Sequence, residues 1–331
     1  MISNWPELEE KWQVASANYP EANFLQSPTW LRANELMGNR PLVIDASPDA
    51  WCAGIVKDAK RGRYLEIPGG PLINWAEMGG EMMQKIRRAA EENKCVFVRI
   101  RPQLRNTPEN LTMMKNLGLK KAPMHLHAEH TVMIDLEKDE ETLLAEMRKQ
   151  TRYEVRRSER LGINVWRGSS PSLFKEFHAV QLETAKRQNF VPPNEGVLMA
   201  EREAFGEKAQ IYVADSSDGQ RICYGLFLQD GAEAEYFEAA STNLGRSLPG
   251  AYGMLWRVMK DFKRQGIKRL NLWGIAPAGA KNHRYAGVTT FKKGFGGEVV
   301  EFVPAQDLVI KPWRYKIDYL VESLRRKMRK L

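Results

Sequence analysis

The chain has little cysteine and no long hydrophobic run. Its three cysteines, Cys52, Cys95 and Cys223, stand alone inside apolar stretches, which favours buried reduced thiols over disulfides or zinc ligands. No stretch of about 18 apolar residues is present, and the N-terminal MISNWPELEEKW is acidic and lacks an apolar core. We therefore expect a cytoplasmic protein with neither a membrane span nor an export signal.

Common catalytic signatures are also missing. The sequence has no Gly-x-Ser-x-Gly, His-Glu-x-x-His, P-loop or Gly-x-Gly-x-x-Gly pattern, which argues against the usual hydrolases, metalloproteases, P-loop proteins and Rossmann enzymes. Three of the five histidines, His125, His127 and His130, fall within MHLHAEH. No carboxylate or cysteine motif is spaced to complete a metal site with them, so we predict a polar strand edge and no metal.

What is present indicates a globular protein with a basic surface. The 331 residues are 43% hydrophobic, enough for two domains or one large one. Lysine and arginine number 50 against 41 acidic residues, which gives a formal charge of +9. Such an excess favours polyanionic partners: nucleic acid, phosphorylated small molecules or an acidic membrane.

One order of elements is predicted twice: two helices, a three-stranded meander, a helix and a strand. The first copy is predicted at 5–17, 28–37, 41–46, 51–57, 62–67, 75–92 and 95–100, and the second at 172–188, 195–205, 210–214, 222–229, 234–240, 252–265 and 268–273. This order is that of a GNAT-type acyltransferase domain. The sequence therefore predicts an α+β fold of two tandem GNAT-like lobes.

The predicted domains are a first lobe at 1–138, a connecting helix at 139–162, a second lobe at 163–311 and a C-terminal helix at 312–331. The connecting helix has a basic second half, which suits either a solvated face or a phosphate-facing surface. The C-terminal helix has an apolar side, which we expect to pack on the first lobe: Ile317, Leu320, Val321 and Leu324. Its basic end complements the helix dipole or binds a membrane or nucleic acid: Arg325, Arg326, Lys327, Arg329 and Lys330.

The segment YAGVTTFKKGFGGEVVEFV, residues 285–303, places an aromatic, two lysines and several glycines before a Val-rich strand. The glycines permit close backbone approach or positive φ, and Lys292 and Lys293 bring ammonium groups to the same turn. Taken alone, the segment is more typical of a Gly-rich hairpin with solvated lysines than of an anion site.

Five stretches, in order, resemble the Fem family of peptidoglycan interpeptide-bridge aminoacyltransferases. FLQSPTW (24–30) is similar to its Q-S-x-x-W signature, residues 131–165 to its central strand, basic helix and return strand, and LETAKRQNF (182–190) to its T-x-x-R-x-x-F segment. The run from 236 to 274 resembles the family's core helix and next strand, and FKKGFGGEVVEFV its F-K-x-x-F-G motif. The resemblance implies a twin-GNAT fold that moves an aminoacyl group from aminoacyl-tRNA, its co-substrate, to an amine on the stem peptide of a peptidoglycan precursor, without a cofactor.

The resemblance also implies site residues. Lys292 would stabilise the oxyanion. Phe291 would line or stack on the terminal adenosine of the tRNA. Arg187, in the same segment as Thr184, would bind the precursor's pyrophosphate. Further substrate contacts are expected from Lys293, Tyr236, Tyr252 and Arg246, and from Arg32, which is the nearest basic residue to the family's N-terminal lysine. Core packing remains the alternative for the aromatics, and a plain helix surface for Arg187.

The chain departs from the family pattern where many members carry Asp-Pro, because it reads Arg101-Pro102. No base can stand there, so we predict positioning and oxyanion stabilisation without a protein base. Asp307 is either an accessory acid or a strand cap. The lipid- or nucleotide-linked nature of the acceptor, the amino acid, the oligomeric state and contact with the inner membrane surface stay open.

Two other functions remain in view. An acyl-CoA-dependent N-acyltransferase on this fold is disfavoured, because NLGRSLPGAYG, before the second long helix, lacks the spacing of a pyrophosphate loop. A catalytically silent tRNA- or membrane-binding module is the third candidate.

Overall fold

The computed structural model describes residues 2, 4–124, 126–188, 190–280, 283 and 285–329. Of residues 327–329 it describes the backbone alone. It has the predicted α+β character, with two separate sheets. The chain forms two compact units. Unit 1 comprises 1–130, 276–284 and 300–331, and unit 2 comprises 131–275 and 285–299.

The elements of the first 130 residues follow the predicted order closely. The helices are α1 (Trp5–Asn18), α2 (Pro28–Leu36), α3 (Trp75–Glu92) and α4 (Pro108–Asn116). The strands are β1 (Arg40–Ser47), β2 (Ala50–Ala59), β3 (Gly62–Pro68), β4 (Leu72–Ile73), β5 (Phe97–Arg101) and β6 (Lys120–Lys121), and β7 (His130–Asp135) begins at the end of this stretch.

The rest of the chain repeats the pattern and then returns to unit 1. Its helices are α5 (Glu140–Glu146), α6 (Lys149–Arg160), α7 (Pro171–Gln188), α8 (Glu195–Phe205), α9 (Gly250–Arg264), α10 (Ala286–Lys293) and α11 (Pro312–Arg329). Its strands are β8 (Asn164–Gly168), β9 (Ala209–Asp215), β10 (Arg221–Asp230), β11 (Glu233–Ser241), β12 (Arg269–Asn271), β13 (Glu298–Glu301) and β14 (Gln306–Val309).

The two sheets share one topology. Their strand orders are β1-β2-β3-β5-β14-β6, with β4 paired to β2, and β8-β9-β10-β11-β12-β7-β13. In each, an antiparallel meander is followed by a long helix and then a strand parallel to the last meander strand, β5 on β3 and β12 on β11. In each, the next neighbour is antiparallel, β14 on β5 and β7 on β12.

Each long helix covers its sheet with an apolar stripe. On α3 the stripe includes Met82, Met83 and Ile86, and on α9 it includes Leu255 and Phe262. These side chains join the main apolar clusters of unit 1 and unit 2 respectively. Burial at helical spacing explains why both helices were recognisable from sequence.

The three cysteines are buried free thiols, as predicted. Burial raises the pKa of the Cys95 thiol to about 11 and that of Cys223 to about 12. Both sulfurs are therefore neutral near pH 7. Within the described ranges, no helix combines the length and the apolar character needed to cross a bilayer.

Four local predictions were wrong. The connecting segment is not one helix, because the backbone at Met147 is extended and the Arg148 N–H donates to the Gly294 carbonyl at 2.8 Å. Both pieces lie in unit 2, whereas β14, which sequence order places in the second lobe, lies in unit 1. The lysine pair lies on α10 and not in a hairpin turn. The apolar side of α11 is exposed: Ile317, Leu320 and Leu324.

Candidate active site

Lys292 lies in the last turn of α10, on the side of the helix that faces the core of unit 2. Its side chain is buried, with a relative exposure of 8%. Its Nζ donates to the Gly274 carbonyl at 3.0 Å and lies 5.7 Å from the centre of the Tyr236 ring. Burial lowers the pKa of this amine to about 7. A lysine that changes charge near neutral pH, held at a fixed point, is a candidate for catalysis.

The carbonyl that holds Lys292 follows a constrained turn that the sequence analysis missed. Trp273 has φ of +60°, a left-handed conformation that is uncommon for a bulky residue. Its N–H donates to Asn271 Oδ1 at 2.9 Å, and its carbonyl oxygen lies 3.2 Å from Thr131 Oγ1. This network fixes the chain just before Gly274, within the stretch RLNLWGI that ends the family-like core.

The glycines after Lys292 are required by close packing. A Cβ at Gly294 would lie 2.3 Å from Thr151 Oγ1, and a Cβ at Gly297 would lie 2.4 Å from the Met133 carbonyl oxygen. Gly296 and Gly297 also have φ near +80°. The glycines therefore let α10 end against α6 and β7. In this structure they serve packing of the helix that carries Lys292.

Phe291 and Tyr252 lie together in an aromatic cluster of unit 2. Their ring centres are 5.0 Å apart at 72°, and Phe295 lies 5.2 Å from Phe291 and 5.9 Å from Tyr252. Both side chains are partly buried and pack against the main cluster of unit 2. Burial raises the pKa of the Tyr252 hydroxyl. Packing accounts for both residues, and their contacts with substrate stay a prediction.

Tyr236 is a core residue of unit 2. It lies on β11 and stacks on Phe227, with ring centres 4.9 Å apart and planes at 9°. The ring is buried and its pKa is raised by burial. Its position beside the Lys292 amine means that it shapes the lysine's surroundings, and contact with a precursor stays a prediction.

Arg187 and Thr184 lie on the last turns of α7 and are joined to β11. The buried Thr184 hydroxyl lies 2.9 Å from the Val180 carbonyl oxygen and 3.0 Å from that of Ser241. The exposed Arg187 guanidinium donates to the Ser241 carbonyl and to Thr184 Oγ1. The structure thus brings the threonine and the arginine of the T-x-x-R segment together at the end of β11.

The remaining basic candidates are exposed. Arg246 ends a short 3-10 turn before α9, and Lys293 points to solvent next to the buried Lys292. Arg32 is exposed on α2, which belongs to unit 1, whereas the other candidates belong to unit 2. No described contact gathers these three into one site.

A pair of acids in unit 2, the half-buried Glu238 and the buried Glu201, was not foreseen from the sequence. Glu238 on β11 accepts from Gln181 Nε2 at 2.6 Å, and burial raises the pKa of its carboxyl to about 7. Glu201 on α8 is almost fully buried, and burial together with Glu238 raises its pKa well above the usual range. No local motif marks such a pair, since the acids come from a helix and a strand far apart in sequence.

Asp307 and Arg101 of unit 1 both contact other side chains of the protein. Asp307 is fully buried and accepts from Arg99 at 2.9 and 2.8 Å and from the Tyr315 hydroxyl at 3.0 Å. It lies within β14 and does not cap the strand. Arg101 is buried, contacts Gln103, and lies 5.1 Å from the centre of the Phe302 ring.

Two histidines of MHLHAEH lie beside acids of unit 1. His127 Nε2 lies 2.8 Å from Glu66 Oε1, and His130 Nδ1 lies 3.4 Å from Glu301 Oε1. His125 lies outside the described residues. Among the residues that are described, no three His, Cys, Asp or Glu side chains are grouped to hold a metal ion.

A groove of unit 2 is separate from Lys292. It has a volume of about 710 Å³ and a lining of mixed charge that includes Lys138, Glu146, Lys268 and Gly297. Lys292 is not among its lining residues. The candidate site is therefore the buried amine and not this groove.

Comparison with known proteins identifies the family. The FemAB family profile matches residues 9–221 and 215–323. Aminoacyltransferase FemA of Staphylococcus epidermidis is 32% identical over 82 residues, which are 25% of this chain and 20% of that protein. The chain thus matches only about a fifth of the length of that relative.

Solved structures establish the fold. The crystal structure of FemX superposes with a TM-score of 0.82 at 16% identity, over 96% of this chain and 98% of that chain. A tandem GNAT protein from the clavulanic acid biosynthesis pathway superposes with a TM-score of 0.50 at 8% identity, over 79% of each chain. The prediction of two tandem GNAT-like lobes is confirmed. The chain belongs to the FemAB family.

Proposed function

We propose that the protein is an aminoacyltransferase that moves an amino acid from aminoacyl-tRNA to an amine on the stem peptide of a peptidoglycan precursor. The observation that carries this proposal is the buried Lys292 amine, placed by the F-K-x-x-F-G motif and fixed by Gly274. FemAB membership and the name of the FemA relative support the reaction class.

The reaction is acyl transfer. The acceptor amine attacks the carbonyl carbon of the aminoacyl ester, a C–N bond forms, and the carbonyl oxygen becomes negative in a tetrahedral intermediate. The intermediate then expels the ribose oxygen of the tRNA, which takes up the proton lost by the amine, directly or through a neighbouring hydroxyl or water. No cofactor, oxidant or reductant is needed.

Lys292 is proposed to stabilise the developing oxyanion. An ammonium carries three N–H bonds, and the Gly274 carbonyl accepts one of them while it fixes the position of Nζ. A fixed donor in a buried site lowers the barrier because no reorganisation is needed when charge develops, and loss of such a donor commonly costs about 3 to 4 kcal/mol.

We propose no protein base for this step. If the acceptor is a free α-amine, its pKa is about 8 and it loses its proton readily near neutral pH. The position where a carboxylate would be expected from the family pattern holds the buried Arg101. Asp307 is bonded to Arg99, which suits a structural role.

Substrate contacts are proposed for residues around unit 2. Arg187, held beside Thr184, offers a planar donor to the pyrophosphate of the precursor. The exposed Arg246 and Lys293 would contact phosphate. Phe291 and Tyr252 would contact the adenosine of the tRNA or the peptide of the precursor. Tyr236 would shape the surroundings of the Lys292 amine. Arg32 in unit 1 would contact the precursor.

We place the reaction in the cytoplasm, where charged tRNA is found, with an acceptor carried on a nucleotide or on lipid at the inner membrane face.

The test is single-turnover transfer from a mixed pool of charged tRNA to a pentapeptide precursor, read as mass added. We expect Lys292→Met to lower the rate by about 100-fold or more and to leave tRNA affinity nearly unchanged. The substitution should not unfold the chain, because methionine fills a similar volume without a buried amine. Lys293→Met is the matched control, since its side chain is exposed, and it should keep its rate within a few fold.

Two results would count against this proposal. An unchanged rate in Lys292→Met would remove the catalytic assignment. Transfer that depends on acyl-CoA, with CoA binding seen by thermal shift and no use of charged tRNA, would make the protein a different N-acyltransferase.

A further inference from the structure

The C-terminal helix α11 presents a row of large apolar side chains to solvent. Trp313 is 80% exposed, Ile317 60%, Leu320 61% and Leu324 52%. These residues are spaced by four, three and four positions, so they lie within a narrow band along one side of the helix. Isolated exposed apolar residues are ordinary, but a continuous row of four marks an interaction surface. We call these four residues the α11 stripe.

The stripe faces outward because the opposite, more polar side of α11 packs on unit 1. Tyr315 is buried, contacts Phe97 with ring centres 5.6 Å apart, and donates to Asp307 at 3.0 Å. Asp318 pairs with Arg61 at 2.6 Å, and Glu322 pairs with Arg99 at 2.9 Å. At about 100° per residue, these three positions lie roughly opposite the stripe. Rotating the helix to bury the stripe would break all these contacts.

The packing also sorts the charges of α11. Asp318 and Glu322 are the acids of this helix, and both are turned toward arginines of unit 1. The exposed sides beside the stripe carry Arg314, Lys316 and Arg325. The Lys316 amine lies 4.6 Å from the centre of the Trp313 ring. The outward surface of α11 is therefore apolar in the middle and basic at its borders.

We propose that α11 binds an anionic lipid surface, with the α11 stripe at the boundary of headgroups and acyl chains and the flanking lysine and arginine side chains on lipid phosphates. An exposed apolar face with a tryptophan and basic borders is what this interface accommodates. The charges disfavour other occupants. A second copy would bring equal positive charges together, and a nucleic acid backbone offers nothing for four apolar side chains. The inference does not rest on the transferase activity.

Co-flotation of the full chain with vesicles tests the inference without any turnover. Two kinds of vesicle are used, one of equal parts phosphatidylglycerol and phosphatidylcholine and one of phosphatidylcholine alone. We expect binding to the anionic vesicles that weakens as salt is raised. Ile317→Ser with Leu320→Ser should weaken it by about tenfold or more. The matched control is Val14→Ser with Leu111→Ser, two exposed apolar residues on other helices of unit 1, which should bind like the unsubstituted chain.

A second pair, Trp313→Ser with Leu324→Ser, should also lose binding, and thermal melting of all variants should match the parent because the stripe is exposed. The inference is overturned if the parent chain does not prefer the anionic vesicles, or if both stripe variants bind as well as the parent. It is also overturned if light scattering shows a dimer that the stripe variants disperse while vesicle binding is absent, since the occupant would then be a second copy.

Discussion

Lys292 shows how burial turns an ordinary side chain into a chemically useful one. A lysine on the exposed side of a helix keeps its charge to high pH, whereas the Lys292 amine has a pKa lowered to about 7 by desolvation. Its neighbour Lys293, one position along α10, is exposed. The helix period alone separates the two, since adjacent residues point about 100° apart.

The lowered pKa predicts the pH dependence of the proposed transfer. If the ammonium form of Lys292 stabilises the oxyanion, kcat/KM should fall as pH rises through about 7, where Nζ loses its proton. The acceptor amine must itself be deprotonated, so the rate should rise with pH on the acid side, with a pKa of about 8 if the acceptor is a free α-amine. We therefore expect a narrow bell in a pH profile of kcat/KM between pH 5.5 and 9.5, with its maximum at roughly 7 to 8.

Lys292→Arg supplies the control for that profile. A guanidinium stays charged throughout this pH range, so the variant should lose the descending limb even if its absolute rate is lower. A parent profile that shows no descending limb would contradict a role for the charged amine.

At the scale of elements, the spacing of apolar residues determines where helices and strands form. Contacts between residues far apart in sequence determine where those helices and strands end. The segment from α5 to α6 has a continuous helical pattern, yet it breaks where the Arg148 N–H leaves the helix to bond the Gly294 carbonyl. Glu201 on α8 and Glu238 on β11 are a second case. Their repulsion is created only when the helix packs on the sheet.

Glu201→Gln should be more stable than the parent, by an amount that increases as pH rises. The folded-state pKa of Glu201 is raised above its ordinary value of 4.5, so the unfolded chain ionises first and stability is lost as pH rises from about 4.5 toward the folded-state pKa. A neutral glutamine removes that loss. We expect little difference from the parent near pH 4.5 and a gain of about 1 kcal/mol or more at pH 8 in urea unfolding.

The matched control is Glu203→Gln, an exposed acid on the same helix, which should change stability little at either pH. A Glu201→Gln variant that is less stable than the parent at pH 8 would mean that the ionised carboxylate is stabilised by an interaction other than those described.

At the scale of the whole molecule, each sheet is completed by a strand from a distant part of the chain. Unit 1 takes β14 from residues 306–309 and unit 2 takes β7 from residues 130–135. In unit 1 the join is strengthened by the bidentate pair between Asp307 on β14 and Arg99 on β5. Folding of unit 1 therefore depends on residues near both ends of the chain.

Asp307→Asn should weaken this join. The substitution leaves Arg99 buried with Glu322 as its remaining acidic partner, so we expect a loss of roughly 2 to 4 kcal/mol in urea unfolding at pH 7. Asp49→Asn, at an exposed position, is the control and should be near neutral. A variant that kept its stability but lost transfer rate would instead give Asp307 a chemical role.

Much of the fold could be predicted from the sequence, because many of its helices and strands have a recognisable local pattern of apolar residues. Apolar residues at helical spacing located α3 and α9, and alternation with turn residues located the two meanders. The candidate lysine was also found from sequence, but only through the family-like motif, since its local context favoured a solvated hairpin. Glu201 and Glu238 could not be found, because no local signal links a helix to a strand that it meets in three dimensions.

The sequence by itself determined the order of elements, the repeat of the lobe and the family, since each depends on residues close together in the chain. Only the tertiary structure decided which side of each element is buried. It buried Lys292 and exposed Lys293, turned the acids of α11 inward, and left the α11 stripe in solvent. The physical reason is that a periodic pattern defines two faces of a helix, whereas the choice between them depends on partners from distant parts of the chain: Gly274 for Lys292, and Arg61 and Arg99 for α11.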